Sequence, residues 1–187
     1  MKKYLMVVAG LALAGLSTPV LADGAGFVRV EAGRSDVEVS AEGFGSDSDK
    51  DTTWGVRGGY WFNQNFAVEG FYSQVYSTSI DDGFDTYHVK LHAVGVGLAA
   101  KKNFGGNHTG FFIGGRAGIA RGVITVDVDG DVEEAEASSA KPYFGVGAGY
   151  DFNEKFGISV NYDRLKGDGD GLEVDADTLT LGLEARF

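Results

Sequence analysis

The chain has 187 residues, enough for one domain, with no Cys and a formal charge of −11. The absence of Cys excludes a disulfide framework and a Cys-based metal site, and the negative charge argues against nucleic acid as a partner. Gly accounts for 30 residues, about double ordinary usage, against 2 Pro and 12% aromatics. Without a collagen-like period, that composition fits a barrel of short Gly- and aromatic-rich strands.

Residues 1–22 read as a secretory signal peptide: Lys2 and Lys3, an apolar run from Tyr4 to Leu16, then small residues up to Ala22. The run is too short to span a bilayer as a helix. Its removal takes two Lys, so the expected mature domain, 23–187, carries a formal charge of −13. No later segment has the length and apolarity of a transmembrane helix, so membrane entry requires a closed barrel.

From Gly26 the sequence alternates. In the first strand, to Arg34, Val28, Val30 and Ala32 share one face, with Phe27, Arg29, Glu31 and Gly33 opposite. In the second, Thr53–Phe62, Trp54, Val56, Gly58 and Tyr60 oppose Gly55, Arg57, Gly59 and Trp61. After a polar turn at 63–65, Phe66–Tyr76 sets Phe66, Val68, Gly70, Tyr72 and Tyr76 against Ala67, Glu69, Phe71 and Ser73. The fourth strand, Tyr87–Ala100, has two apolar sets out of phase: Val89 and Leu91, then Val94, Val96 and Leu98. A β-bulge near His92–Val94 would reconcile them, leaving Lys90 and His92 inside.

Gly110–Val123 places Phe111, Ile113, Ala117 and Ile119 outward, with Phe112, Gly114, Arg116 and Gly118 inward. Tyr143–Phe152 does the same with Phe144, Val146, Ala148 and Tyr150 over inward glycines. The turn Phe152-Asn-Glu-Lys-Phe156 repeats the form of Phe62-Asn-Gln-Asn-Phe66. The seventh strand carries Ile158, Val160 and Tyr162 outward over Gly157, Ser159, Asn161 and Asp163. The last twelve residues alternate Leu179, Leu181, Leu183, Ala185 and Phe187 with Thr178, Thr180, Gly182, Glu184 and Arg186. An apolar face toward lipid and a polar face toward a lumen account for this pattern.

These eight segments predict an all-β fold: an eight-stranded, up-and-down antiparallel transmembrane β-barrel. The connections near 63–65, 101–109 and 153–155 are short; those near 35–52, 77–86, 124–141 and 165–177 are read as long loops. Short turns belong in the periplasm, which places both termini there. Trp54, Tyr60, Tyr72, Tyr76, Tyr150 and Tyr162 are candidates for aromatic girdles.

The segments Pro142-Tyr-Phe-Gly-Val-Gly-Ala-Gly-Tyr-Asp-Phe152 and Phe66-Ala-Val-Glu-Gly-Phe-Tyr72 resemble the small outer-membrane barrels of the OmpA transmembrane-domain and OmpX/Ail type, and the terminal strand resembles their targeting strand, which typically ends in Phe. The resemblance covers essentially the whole mature chain. It implies bacterial outer-membrane localisation, Phe187 as an assembly signal for the barrel-assembly machinery, and contact with membrane lipid and lipopolysaccharide. The peptidoglycan-binding domain usual in the OmpA family is not expected after Phe187.

Arg29, Glu31, Arg57, Glu69, Arg116, Glu184 and Arg186 form the expected lumen charge network, with Asp163, Asn161 and Lys90 as further candidates. An eight-stranded barrel is only wide enough for side chains to fill it, and an isolated buried charge costs several kcal/mol. Two readings follow: a structural plug, or a narrow pore gated by exchange of Arg–Glu partners. The family resemblance implies Glu69 and the arginines as the gate.

The four long connections hold 20 of the 27 acidic residues. They read as acidic surface loops contacting lipopolysaccharide, a host, a phage or another envelope protein. Asp127, Asp129 and Asp131 have the alternation of a calcium loop, but Gly130 falls one place early for an EF-hand. No cofactor or resident metal is implied. His88 and His92 near Ser73, Ser77 or Ser79 raise a lipid A deacylase, but the His-x-Ser-Asn sequence is absent and His108 falls in a turn, so no enzyme is expected. The remaining alternative is a soluble periplasmic barrel enclosing a ligand.

Overall fold

The alternation becomes strand, and the strands close into a ring. The structure, a computed structural model, describes residues 24–41, 45–81, 86–106, 109–128, 131–136, 140–169 and 172–187. Only the backbone is described for 38–41, 45–50, 76–81, 86–90, 124–128, 131–136, 167–169 and 172–174. The expected signal segment therefore lies outside the described residues, as do Asp129 and His108.

The elements are β1 (Ala25–Ala41), β2 (Gly45–Trp61), β3 (Phe66–Asp81), β4 (Thr86–Asn103), β5 (Gly110–Val128), β6 (Asp131–Glu136), β7 (Lys141–Asp151), β8 (Phe156–Gly169) and β9 (Leu172–Arg186). All pairings are antiparallel. Neighbours in sequence pair except β6 and β7, β1 also pairs with β9, and β4–β5 completes the circle. β5 pairs with β7 up to Ala120↔Lys141 and with β6 from Val123↔Glu136, so β6 and β7 share one place in the ring. The result is the expected eight-stranded barrel.

The two tight turns explain the repeated Phe-Asn-x-x-Phe. Asn63 Oδ1 accepts from the N–H groups of Asn65 at 2.8 Å and Phe66 at 2.9 Å, and Asn153 Oδ1 does the same for Lys155 and Phe156. Asn thus supplies a side-chain copy of a turn hydrogen bond. The third turn ends at Gly110, whose φ of +84° suits glycine.

The barrel is taller than the sequence reading has it. The β1–β2 ladder runs to Ala41↔Gly45, β3–β4 to Asp81↔Thr86, β5–β6 to Val128↔Asp131 and β8–β9 to Gly169↔Leu172. The four supposed loops are mostly strand. Their acidic residues masked a β-branched alternation such as Asp36-Val-Glu-Val-Ser40 or Ile124-Thr-Val-Asp-Val128.

A bulge exists, but not on β4. The ladder slips between Gln74 and Tyr76, opposite His92 and Leu91, so the extra residue is Val75 of β3. The Thr53 hydroxyl donates to the Gln74 carbonyl at 2.7 Å and the Ser35 hydroxyl to that of Val75, satisfying carbonyls beside the broken ladder. β4 itself pairs with β5 without a break. Its faces therefore alternate throughout: Leu91 and Ala93 point inward and His92 outward, correcting the expected placement of Leu91 and His92.

Outside, each ring strand contributes large exposed apolar residues, among them Val30, Trp54, Val68, Leu98, Ile113, Val146, Val160 and Leu181. A soluble protein rarely exposes such a belt, and strands tilted across a bilayer need about 9–11 residues. Phe111 and Tyr150 (ring centroids 5.0 Å apart), Tyr150 and Phe152 (5.4 Å) and Tyr60 and Phe62 (6.0 Å) group at the end that holds the termini. Trp54 and Tyr72 (6.0 Å) mark the opposite margin. The Tyr76 side chain is outside the described residues.

Candidate functional site

The barrel interior holds two apolar clusters and one charged network. At the terminal end Phe27, Trp61, Ala67 and Ala99 form a buried apolar cluster. At the hairpin end Val37, Val75, Ala93 and Ala176 form another, with Phe71, Leu91 and Leu165 packed against it. Charged side chains fill the middle, and a branch of them, Arg186, Asp151 and Lys101, runs beside the terminal-end cluster.

Each strand turns its inward residues into this space at the period of two. Glu31 of β1 lies between three guanidinium groups, at 2.8 Å from Arg116, 3.4 Å from Arg57 and 3.7 Å from Arg29. Arg57 also reaches Glu69 at 2.6 Å, and Tyr143 donates its hydroxyl to the same Glu69 oxygen at 2.8 Å. Arg116 forms a two-pronged pair with Asp163, one prong at 2.5 Å. Arg29 makes a two-pronged pair with Glu184, whose other oxygen accepts from Arg186 Nε at 2.5 Å. Arg186 continues to Asp151, which also accepts from Lys101 at 2.9 Å and Asn103 at 2.8 Å.

The network is one connected set of five cations (Arg29, Arg57, Arg116, Arg186, Lys101) and five carboxylates (Glu31, Glu69, Asp151, Asp163, Glu184). It is neutral, so the negative charge of the chain lies outside it. Neutrality and charge-assisted forks offset desolvation that a lone charge could not survive. Arg57 sits 4.4 Å over the Phe71 ring and Lys101 4.6 Å over Trp61, tying the charged layer to both apolar ends.

The glycines make room for these groups. A Cβ at Gly145 would lie 2.8 Å from Arg116 Cγ, at Gly182 3.1 Å from Arg29 Cδ, and at Gly149 2.6 Å from the Phe112 ring. The lumen thus alternates seats and fillers, which accounts for much of the glycine content. Beside Arg57, Tyr143 and Thr180 a cavity of about 20 Å³ remains, room for one water. Glu69 Oε2, Arg57 Nε and Thr180 Oγ1 make no hydrogen bond to any described residue.

All seven residues named for the network lie in this cluster and Asp163 joins it, while buried Asn161 donates instead to the Ser159 hydroxyl at 3.0 Å. Lys90 is outside the described side chains. Lys101, Asp151, Asn103 and Tyr143 escaped the sequence reading. Asp151 and Tyr143 carried a signal, since parity with Gly145–Gly149 sets them inward; Lys101 was hidden by being read as turn. His92 faces outward, with Nδ1 2.6 Å from the Tyr72 hydroxyl and the two rings stacked at 5.3 Å, so it shares no site with Ser73. The His88, Ser77 and Ser79 side chains are outside the described residues. Asp127 and Asp131 border the β5–β6 hairpin tip with side chains undescribed. Among the described residues no group of three or more His, Cys, Asp or Glu is arranged to hold a metal. Phe187 closes the seam, its N–H donating to the Gly26 carbonyl at 2.9 Å.

Several solved structures share the fold. Ail, the attachment invasion locus protein of Yersinia pestis, is 19% identical over 85% of this chain and 98% of its own, with a TM-score of 0.51. Neisserial surface protein A is 19% identical over 87% and 97%, with a TM-score of 0.58. The N-terminal β-barrel domain of Pseudomonas aeruginosa OprF is 17% identical over 88% and 99%, with a TM-score of 0.52. No curated protein matches the chain in sequence. The family model for the outer membrane protein beta-barrel domain matches residues 8–187. A closed ring of eight antiparallel strands, apolar outside and charged within, and a family match over nearly the whole chain lead to one assignment: the protein belongs to the outer-membrane β-barrel domain family.

Proposed function

We propose that the protein is a sealed, non-enzymatic barrel that serves the outer membrane structurally and presents acidic hairpins at the cell surface, with both termini in the periplasm. The observation that carries this reading is the neutral network of five cations and five carboxylates, which fills the lumen together with an apolar cluster at each end. An aqueous path would have to displace these side chains and separate charges that stabilise one another. Short turns beside the termini and tall hairpins opposite support the orientation.

The partners of this reading are membrane lipid and lipopolysaccharide, the assembly machinery during insertion, and a host, phage or envelope protein at the hairpins. A structure of Ail contains the heparin analogue sucrose octasulfate. That ligand is a polyanion, and hairpins with 20 acidic residues do not suit it. Phe187 is the assembly signal in this reading. Phe187→Ser therefore lowers the assembled yield in outer-membrane fractions several-fold; undiminished yield would remove that role.

A gated pore is the second reading, and one feature favours it. Glu31 faces three arginines and Glu69 two donors, so partners could exchange. Recording refolded protein in planar bilayers separates the two. The sealed barrel gives no steady conductance. A sustained single-channel current, altered by swapping Arg57 and Glu69, would establish the pore.

A further inference from the structure

We infer that a groove on the outer wall at the terminal end seats one anionic phospholipid of that leaflet, with an acyl chain against Ala100 and Gly115 and the phosphate on Lys102. This rests on the periplasmic placement of the termini proposed above. The groove holds about 510 Å³. Its floor is Ala100 of β4 and Gly115 of β5, which face each other across the ladder. Phe66 of β3, paired with Ala100, and Ile113 of β5 stand beside it, 58% and 57% exposed. Lys102 and Asn65 mark its end nearest the turns.

The low floor is not forced by the packing of the barrel itself. At the inward neighbour Gly114 a Cβ would lie 2.9 Å from the Ala100 carbonyl oxygen, so glycine is needed there. At outward Gly115 a Cβ would meet only the Gly145 carbonyl oxygen, at 3.6 Å, an ordinary contact. The wall has room for a side chain at 115 and does not use it. Ala117, exposed two residues deeper on β5, continues the small-residue floor into the apolar belt. A depression open to hydrocarbon fills with the chain of a lipid, which gains close contact on its walls.

Charge distinguishes this groove from the rest of the terminal margin. There the outward strand residues are apolar or aromatic, such as Val28, Tyr60, Phe111, Tyr150 and Phe156. Among the described residues Lys102 is the one charged side chain on the outward strand faces at this end, and it has no ion-pair partner. Its neighbour Lys101 turns inward and is held by Asp151 at 2.9 Å. Lys102 follows Ala100 on the same face, about 7 Å along the strand. Its stem covers apolar wall while its ammonium reaches the headgroup level. A phosphate there supplies the missing counter-charge. Phosphatidylglycerol suits the site better than phosphatidylethanolamine, whose own ammonium competes for the phosphate.

The test uses the full barrel refolded in neutral detergent, titrated with phosphatidylglycerol or phosphatidylethanolamine and read by native mass spectrometry. The wild type retains one phosphatidylglycerol, more tightly than phosphatidylethanolamine. Lys102→Gln weakens phosphatidylglycerol binding about fivefold and removes the preference. Gly115→Leu fills the groove and weakens both lipids, with its heat-dependent gel mobility intact. Lys155→Gln, in the β7–β8 turn, makes the same change of charge and leaves both unchanged. A wild type that retains no lipid, a preference that survives Lys102→Gln, or undiminished binding by Gly115→Leu would overturn the assignment. The orientation is tested separately with Gly106→Cys, at a turn position where a Cβ meets nothing within 4 Å. An impermeant thiol reagent should leave it unlabelled on intact cells. Labelling there would sink the orientation, while the titration still decides whether the groove holds an anionic phospholipid.

Discussion

In the half of the barrel that holds the termini, Val28 and Val30 face outward and Arg29 and Glu31 inward. In the hairpin half Arg34 faces outward and Val37 inward. β8 repeats the change, from Ile158 and Val160 outside to Leu165 inside, and β9 from Leu179 and Leu181 outside to Ala176 inside. The strands do not slip; their surroundings change. Where lipid covers the wall, apolar groups face out and the narrow lumen takes the charges. Where water covers it, the barrel reverts to the rule of soluble proteins and packs an apolar core.

The contrast is sharpest in what each interior tolerates. Glu184→Ala leaves Arg29 and Arg186 facing each other without their shared carboxylate. It should destabilise the barrel by about 3–5 kcal/mol, as loss of one member of a buried pair does. The urea midpoint of the heat-modifiable band in vesicles reads this out; a midpoint unchanged from wild type would show that the lumen is wet enough to screen its charges. Gly145→Leu tests the seats: the side chain must displace Arg116, with an expected loss of about 1–3 kcal/mol from overpacking. A neutral outcome would mean that the fillers move freely. Asp175→Asn, on the wetted outer face, should change the midpoint by less than about 1 kcal/mol. A loss as large as that of Glu184→Ala would erase the distinction between the two regions.

The same contrast explains what the sequence revealed. Strand number, order and the seven network residues were legible because the terminal half has a constant period of two and constant surroundings. In β4 the apolar sets Leu91 and Val94–Leu98 fall on opposite parities, which reads as an inserted residue when the outside is taken as lipid throughout. The reversal of environment produces the same pattern with no insertion. The actual bulge, at Val75, left no mark because the residues around it are mixed in polarity on both faces. The hairpin extensions were lost to their acidity, and Lys101 to the Gly-Gly that follows it. Asp151 was within reach of parity, being 0% exposed between outward Tyr150 and Phe152.

The sealed interior and the reversal at the rim meet in one experiment, made clean by the absence of native cysteine. Single cysteines at Asp175, Asp177, Leu179, Thr180, Leu181 and Leu183 of β9 are treated with a water-soluble thiol reagent in liposomes and, separately, probed with a lipid-borne quencher. Positions 175 and 177 should react in water, and 179, 181 and 183 should be reached only from lipid. Position 180 should be reached from neither. Reaction of Thr180→Cys with the aqueous reagent would contradict the sealed lumen, and lipid access at 175 would contradict the reversal.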